Sequence, residues 1–264
     1  MKNSLAVIIL TYNEEFNIGN CLKSVVGLTN NIFIVDSYST DRTLEIAKKY
    51  KAEVIQHPFE NQAQQFNWAL DNLDIKNEWI LRLDADEYIT EDLKKEILEK
   101  LENGIPDNIN GFYIKRRAYF MGRWIRHGGY YPAWILRLFR KGKAKSEERA
   151  MDEHIVLLEG ESGKLKNDFI DDNKKGLGKW VEKHNNYAQR EADDVLRGDI
   201  GLGEKRKLYY KLPIFCRAFI YFVYRYFIRL GFLDGKEGLI FHFLQGFWYR
   251  FLVDAKIYEK ELKK

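Results

Sequence analysis

Cysteine is nearly missing from this 264-residue chain, with Cys21 and Cys216 its only two, far apart. That excludes a disulfide framework and suits reduced thiols in a cytosolic setting. A long hydrophobic run is missing at the amino terminus as well. Leu5–Leu10 is followed at once by Thr-Tyr-Asn-Glu-Glu, too short for a signal core or a membrane span, and it reads as a first buried strand. Charge of one sign is lacking: 43 Lys and Arg face 39 Asp and Glu, and a formal +4 is too mild to argue for nucleic acid. There is no G-x-x-x-x-G-K-[ST] segment, which argues against P-loop chemistry. No G-x-G-x-x-G follows the first strand, which argues against a dinucleotide fold. Internal repeats and low-complexity stretches are absent too.

What is present is a foldable chain, 45% hydrophobic and 31% charged, neither disordered nor a multi-span membrane protein. Its length allows one large domain or one domain with an appendage. The first hundred residues alternate strand and helix. Strands are expected at Leu5–Leu10, Ile32–Val35, Ala52–Ile55 and Trp79–Leu83. Helices are expected at Glu14–Val26, Thr43–Tyr50, Gln62–Leu73 and Glu91–Leu101. Repeated βα units with short links predict an α/β fold with a mostly parallel, doubly wound sheet. After about residue 105 the pattern changes. Gly111–Tyr119 and Trp134–Arg140 read as strands around a Gly-, Arg- and aromatic-rich loop, 123–132, and Gly176–Leu196 reads as a helix. That loop either covers a ligand or is an ordinary long surface connection.

The chemistry gathers at strand ends. The first strand ends in Thr11-Tyr-Asn-Glu14, the second in Asp36-Ser-Tyr-Ser-Thr-Asp41, the fourth in Asp84-Ala-Asp86. Strand alternation turns Asp84 and Asp86 the same way at a carboxyl edge, where open α/β sheets bind ligands. Two carboxylates facing one point repel unless something positive sits between them, and a hard divalent cation carrying a diphosphate would satisfy both. Solvated aspartates in a turn would give the same motif. Helix capping alone would account for Thr40 or Asp41, but not for acids and amides at all three edges.

These segments, ILTYNEEFNIGNCLKSV, IFIVDSYSTDRTLEIAKKY and WILRLDADEYI in that order, resemble the amino-terminal half of family 2 glycosyltransferases of the GT-A fold. Later segments, GGYYPAWILRLFRKG, MDEHIV, KHNNYA and GFLDGKEGLIFHFLQGFWYRFLVDAKIYE, resemble a narrower branch acting in lipopolysaccharide-core and other bacterial surface-glycan assembly. The resemblance covers almost the whole chain. It implies a Rossmann-like catalytic domain over 1–205, with a nucleotide-binding half at 1–104, an acceptor-side half at 105–205, and a helical extension at 206–264.

The resemblance also implies roles. Thr11, Tyr12 and Glu14 would border the base, and Asp36 would bind base or ribose. Asp84 would lie near ribose and metal, and Asp86 would coordinate Mg²⁺ or Mn²⁺, with His154 a further metal or phosphate ligand or a merely structural residue. Gln65 falls in the polar helix start that the family places by the nucleotide. Arg126, His127, Arg137 and Arg140 are candidates to screen the diphosphate, Arg137 foremost. Glu153 is the expected catalytic base, with Asp152 the alternative. The implied activity is an inverting, metal-dependent transfer of a sugar from a nucleotide-diphosphate donor, UDP-sugars such as UDP-glucose being the commonest in the family, to a saccharide or lipid-linked acceptor. Two rivals stand beside it. One is a nucleotide-sugar-binding protein without transfer. The other is an aspartate-dependent phosphotransferase, whose D-x-D usually closes the first strand rather than the fourth.

The carboxyl-terminal extension is aromatic. Between Ile214 and Leu230 nearly every residue is apolar except Arg217, Arg225 and Arg229, which with Tyr221 share a ~120° arc at helical spacing. Each arginine at mid-depth would cost roughly 2.5–3.5 kcal/mol, so the stretch is not expected to span a bilayer. It fits a helix lying in the interface of an anionic membrane through those arginines, peripheral on the cytoplasmic side. It equally fits a helix packed on the protein's own core. A last helix, Lys236–Tyr258, would pair with it or share the contact.

Overall fold

The computed structural model describes residues 4–147, 154–198 and 204–263. In chain order the elements are β1 (Leu5–Thr11), α1 (Ile18–Val25), β2 (Asn31–Asp36), α2 (Thr43–Lys49), β3 (Glu53–Gln56), α3 (Gln62–Asn72) and β4 (Trp79–Asp84). Then come β5 (Glu87–Ile89), α4 (Glu91–Asn103), β6 (Ile109–Phe120), β7 (Arg123–Trp124), β8 (Ala133–Arg140), β9 (Ala144–Ser146), β10 (Ile155–Leu157) and β11 (Glu161–Asp171). The chain finishes through α5 (Gly176–Leu196), α6 (Glu204–Lys211), α7 (Cys216–Val223), α8 (Gly235–Phe241) and α9 (Tyr249–Leu262). Two compact units result: 1–117 with 132–174, and 118–131 with 175–264.

The first unit is the α/β body. Its sheet runs β3-β2-β1-β4-β8-β6-β11-β5. The four strands of the βα repeat are mutually parallel, while β8 pairs antiparallel with both β4 and β6. Every residue of β1 is buried, as a central strand covered on both faces requires. Leu5, Val7 and Ile9 pack one way, with Ile18, Cys21, Leu22 and Val25 of α1 and Leu93 of α4. Ala6, Ile8 and Leu10 pack the other way, with Phe66 and Ala69 of α3. The period of two in the strand and the i, i+3, i+4, i+7 spacing in α1 thus meet in one core. Thr90 starts α4 by accepting from Leu93 N at 3.2 Å, and Asn61 starts α3 by accepting from Gln64 N at 2.8 Å.

The second unit is helical. Ala188 and Ala192 of α5 let α9 approach closely, and Tyr249, Val253 and Ile257 fill that seam. Packing therefore sets α5 with the carboxyl-terminal helices, whereas the boundary read from sequence falls at 205. A turn of wider π-type helix, Tyr224–Ile228, continues α7, and another, His242–Trp248, links α8 to α9. Within the described residues no helix is long and apolar enough to cross a membrane.

Arg217, expected to face lipid head groups, is instead buried. Its guanidinium donates to Asp254 Oδ1 at 2.8 Å from Nε and 2.5 Å from Nη2. Arg225 is half-buried, over the Tyr130 ring at 4.2 Å and donating to Gly129 O at 3.2 Å. A guanidinium amid aromatic rings finds its partners inside this unit, which is why Arg217 and Arg225 point inward. Of the three arginines only Arg229 is exposed.

Candidate active site

Parallel pairing fixes the edge. Thr11 lies opposite Asp36 in the β1–β2 register, and Leu10 opposite Asp84 in the β1–β4 register. Three polar strand ends therefore come level at the carboxyl edge of the sheet, where ligands bind in this architecture. Loops from β1 and β2 are laced together there. Asn13 N donates to Ser39 Oγ at 2.8 Å, Thr40 N to Asn13 Oδ1 at 2.8 Å, and Glu14 N to Thr43 Oγ1 at 2.7 Å. Asn13 and Tyr38 hold positive φ of 52° and 60°, a strained state for a tyrosine. Tyr12 and Tyr38 are both more than half exposed on these loops. Tyr38 was not singled out from sequence, since only its backbone angle marks it.

Asp36 is fully buried and accepts from Ser39 N at 2.9 Å, from Ser39 Oγ, and from Gln56 Nε2 at 3.1 Å. It thereby fixes the β2 loop. Thr11 is buried too, and its hydroxyl has no hydrogen-bond partner among the described residues. Gln65 departs from expectation. It is buried, with Oε1 2.8 Å from His57 Nδ1 and Nε2 donating to Ser37 Oγ and His57 O, both at 3.2 Å. Its amide is used to join the β2 and β3 loops. Gln62, one turn earlier, is the glutamine that reaches the acids, donating to Asp84 Oδ1 at 3.1 Å.

Beneath the D-x-D lies a buried ion network that sequence did not disclose. Arg82 Nη2 stands 3.4 Å from Asp84 Oδ1, and Arg137 Nη2 stands 3.3 Å from Asp84 Oδ2. Arg137 also clasps Glu87, whose other oxygen accepts from Asp84 N at 3.0 Å. Burial raises the Glu87 carboxyl and Arg137 pulls it back down. Burial opposes the Arg137 charge as well, but Glu87 and Asp84 outweigh it and hold the guanidinium above its ordinary value. Arg137 is thus a buried support for Asp84 rather than a surface screen for diphosphate. Arg140 is engaged elsewhere, against Glu78, the carbonyls of Ile105 and Ile109, and the Trp79 ring. Arg126 lies over the Trp124 ring at 5.3 Å, and His127 Nδ1 is 2.6 Å from Asp234 Oδ1.

The sequence leads one to expect a cation between the two aspartates. For Asp84 the compensating charge comes from Arg82 and Arg137. Asp86 is different: it is half-buried, accepts from Asn173 Nδ2 at 2.9 Å, and pairs with no guanidinium among the described residues. An all-oxygen carboxylate in such a place suits a hard cation that takes its other ligands from substrate phosphates and water. The chemistry of Asp86 therefore fits Mg²⁺ or Mn²⁺. Among the described residues no three His, Cys, Asp or Glu side chains are grouped to hold a metal. Exposed His154, at the start of β10, is thus not brought to the aspartates, because it sits on the small β9–β10 hairpin. Glu153 and Asp152 lie outside the described residues.

Residues 6–154 match the family model of Glycosyl transferase family 2. The chain is 29% identical over 274 residues to the lipopolysaccharide core biosynthesis glycosyltransferase LpsC of Rhizobium meliloti, covering all of this chain and 95% of that protein. It is 27% identical to an uncharacterized glycosyltransferase of Rickettsia typhi, covering 98% of this chain and 88% of the other. Among solved structures, that of S. aureus TarS 1-349 superposes with a TM-score of 0.50 at 15% identity, over 98% of this chain and 92% of that one. This last likeness is one of fold.

Proposed function

The chain belongs to glycosyl transferase family 2, and on that premise we propose that it transfers a sugar from a UDP-sugar to a saccharide or lipid-linked acceptor, with inversion at the anomeric carbon. It is a GT-A glycosyltransferase related to an enzyme of lipopolysaccharide-core assembly. The surface glycan it helps build would be assembled at the cytoplasmic face of the membrane. One observation carries the donor site: Thr11, Asp36 and Asp84 are level at one sheet edge, with Asp86 just past it bearing an oxygen for a hard cation.

The residues divide the work. Tyr12 and Tyr38 offer exposed rings beside the edge for a planar base, and the buried Thr11 hydroxyl offers an unspent polar atom. Asp36 shapes the loop that receives base and ribose. Gln62, Arg82 and Arg137 hold the Asp84 carboxylate in one orientation, so no reorganisation is needed when the donor arrives. Asp86, with Asp84 behind it, would hold Mg²⁺ or Mn²⁺, which supplies charge neutralisation to a departing diphosphate. Glu153 takes the proton from the acceptor hydroxyl, on the face of the sugar opposite the nucleotide, with Asp152 next to it in sequence.

Release of free nucleoside diphosphate from a panel of sugar nucleotides, with and without Mn²⁺, tests the reading. UDP released from one UDP-sugar, faster with acceptor, is the expected result. A protein that binds the donors yet never releases UDP with any acceptor would be a binding module. Trapped phospho-aspartate at Asp84 would make it a phosphotransferase.

A further inference from the structure

The 216–243 stretch of the helical unit is amphipathic in the reverse of the usual sense. Two of its three arginines are turned inward: Arg217 is buried against Asp254, and Arg225 is stacked on Tyr130. Its apolar side faces outward. Phe219 is 59% exposed, Phe227 53% and Ile228 68%. The turn that follows exposes Phe232 and Leu233, and the returning helix exposes Phe243, whose ring meets Phe222 of the first helix at 6.3 Å. Ring contacts join Phe222 to Phe227 and Phe243, and Tyr226 to Phe227 and Phe232, so both helices and the turn between them share exposed apolar surface. Such a patch on a folded unit marks a binding surface, because water would otherwise drive it inward.

Charge says what covers it. Between 207 and 238 the chain holds six basic residues and two acidic ones. Of the acids, Asp234 is buried against His127 and Glu237 is half-buried. Lys207, Lys211, Arg229 and Lys236 are exposed. Aromatic side chains flanked by exposed cations, on helices too short and too polar to span, match an interface of acyl chains beneath anionic head groups.

We infer that this face docks on an anionic bilayer, with Phe219, Phe227, Ile228, Phe232, Leu233 and Phe243 entering the acyl boundary and Lys211, Arg229 and Lys236 meeting the head groups. The buried arginines hold the fold of the unit and do not touch lipid. The inference stands apart from the sugar-transfer reading, since it concerns where the protein sits and needs no turnover to test.

Flotation of the full chain with phosphatidylcholine vesicles, with and without phosphatidylglycerol, reads it out. The wild type should float with anionic vesicles and much less with neutral ones. Phe232→Ser/Leu233→Ser and, separately, Phe227→Ser/Ile228→Ser should each lower partitioning by about tenfold or more with unchanged circular dichroism, as loss of inserted apolar carbon requires. Lys211→Glu/Lys236→Glu should remove most of the preference for anionic vesicles. Arg229→Glu should do the same, whereas a buried arginine cannot be read this way. Equal flotation of wild type and both serine variants would overturn the inference. So would a wild type that ignores vesicles but sediments as a dimer that the serine variants break, since a second copy would then own the face.

Discussion

At the scale of single residues, the acids of the edge differ because their partners differ. Asp84 is clasped by two guanidinium groups and an amide, while Asp86, two positions on, takes its acceptor bond from an amide only. The same D-x-D thus holds one carboxylate fixed by cations and one left to an amide, the one proposed as metal ligand. Removing Arg137 would leave Glu87 buried without its cation. Arg137→Ala is expected to cost about 3–5 kcal/mol in urea unfolding, the usual penalty for a broken buried pair. Adding Glu87→Gln should recover part of that loss, because the two changes share one interaction. Additive losses would show that the pair is not coupled. At the base, Glu153→Gln should keep donor binding and lose transfer. Should Asp152→Asn alone have that effect, the proton goes to Asp152.

The elements tell what could be read from the sequence and what could not. The βα repeat was legible because β1 is apolar without interruption and α1 repeats its apolar residues at 3.6 spacing, so both faces of the sheet are written in one dimension. Level strand ends followed from parallel pairing. Arg82, Glu87 and Arg137 could not be assigned, because the partners of Arg137 lie some fifty positions away and only the β4–β8 pairing brings them under Asp84. Gln65 and Gln62 show the same limit within one helix: both are polar, and only the packing of α3 decides which points to the acids. The sequence put the arginines of 217–229 on one arc toward head groups; in the fold Arg217 and Arg225 turn inward and Arg229 outward, because periodicity gives a face but not its direction.

Element packing also carries two predictions in the helical unit. The His242 ring lies fully buried between Gly128 and Gly231, where a Cβ at Gly231 would come 2.5 Å from Nε2. Gly128 adds a φ of +68° that side-chain-bearing residues rarely adopt. Gly128→Ala should therefore destabilise by about 1–3 kcal/mol or more, from overpacking and backbone strain together. Burial holds the His242 imidazole down at about 4, with Asp234 pulling up and Arg225 pushing down. A depressed histidine favours folding while neutral. Its contribution is complete above the unfolded value of 6.5 and is lost as pH falls from there toward about 4. Thermal melts between pH 7 and 4.5 should show this fall, and His242→Gln should flatten it. An unchanged slope in that variant would assign the acid sensitivity to other groups.

For the whole molecule, an α/β unit carries a donor edge and a helical unit carries an aromatic face, and the chain is related over its full length to a lipopolysaccharide-core glycosyltransferase. The central claim is that a UDP-sugar binds at the β1–β2–β4 edge through a divalent cation held at Asp86. Thermal shift of wild type and Asp86→Ala with a panel of sugar nucleotides, each with and without Mn²⁺, tests it most directly. One UDP-sugar with Mn²⁺ should raise the wild-type Tm by about 5 °C or more at saturation and leave Asp86→Ala unmoved at an unchanged starting Tm. An equal, Mn²⁺-independent shift in both proteins, or none with any sugar nucleotide, would contradict it.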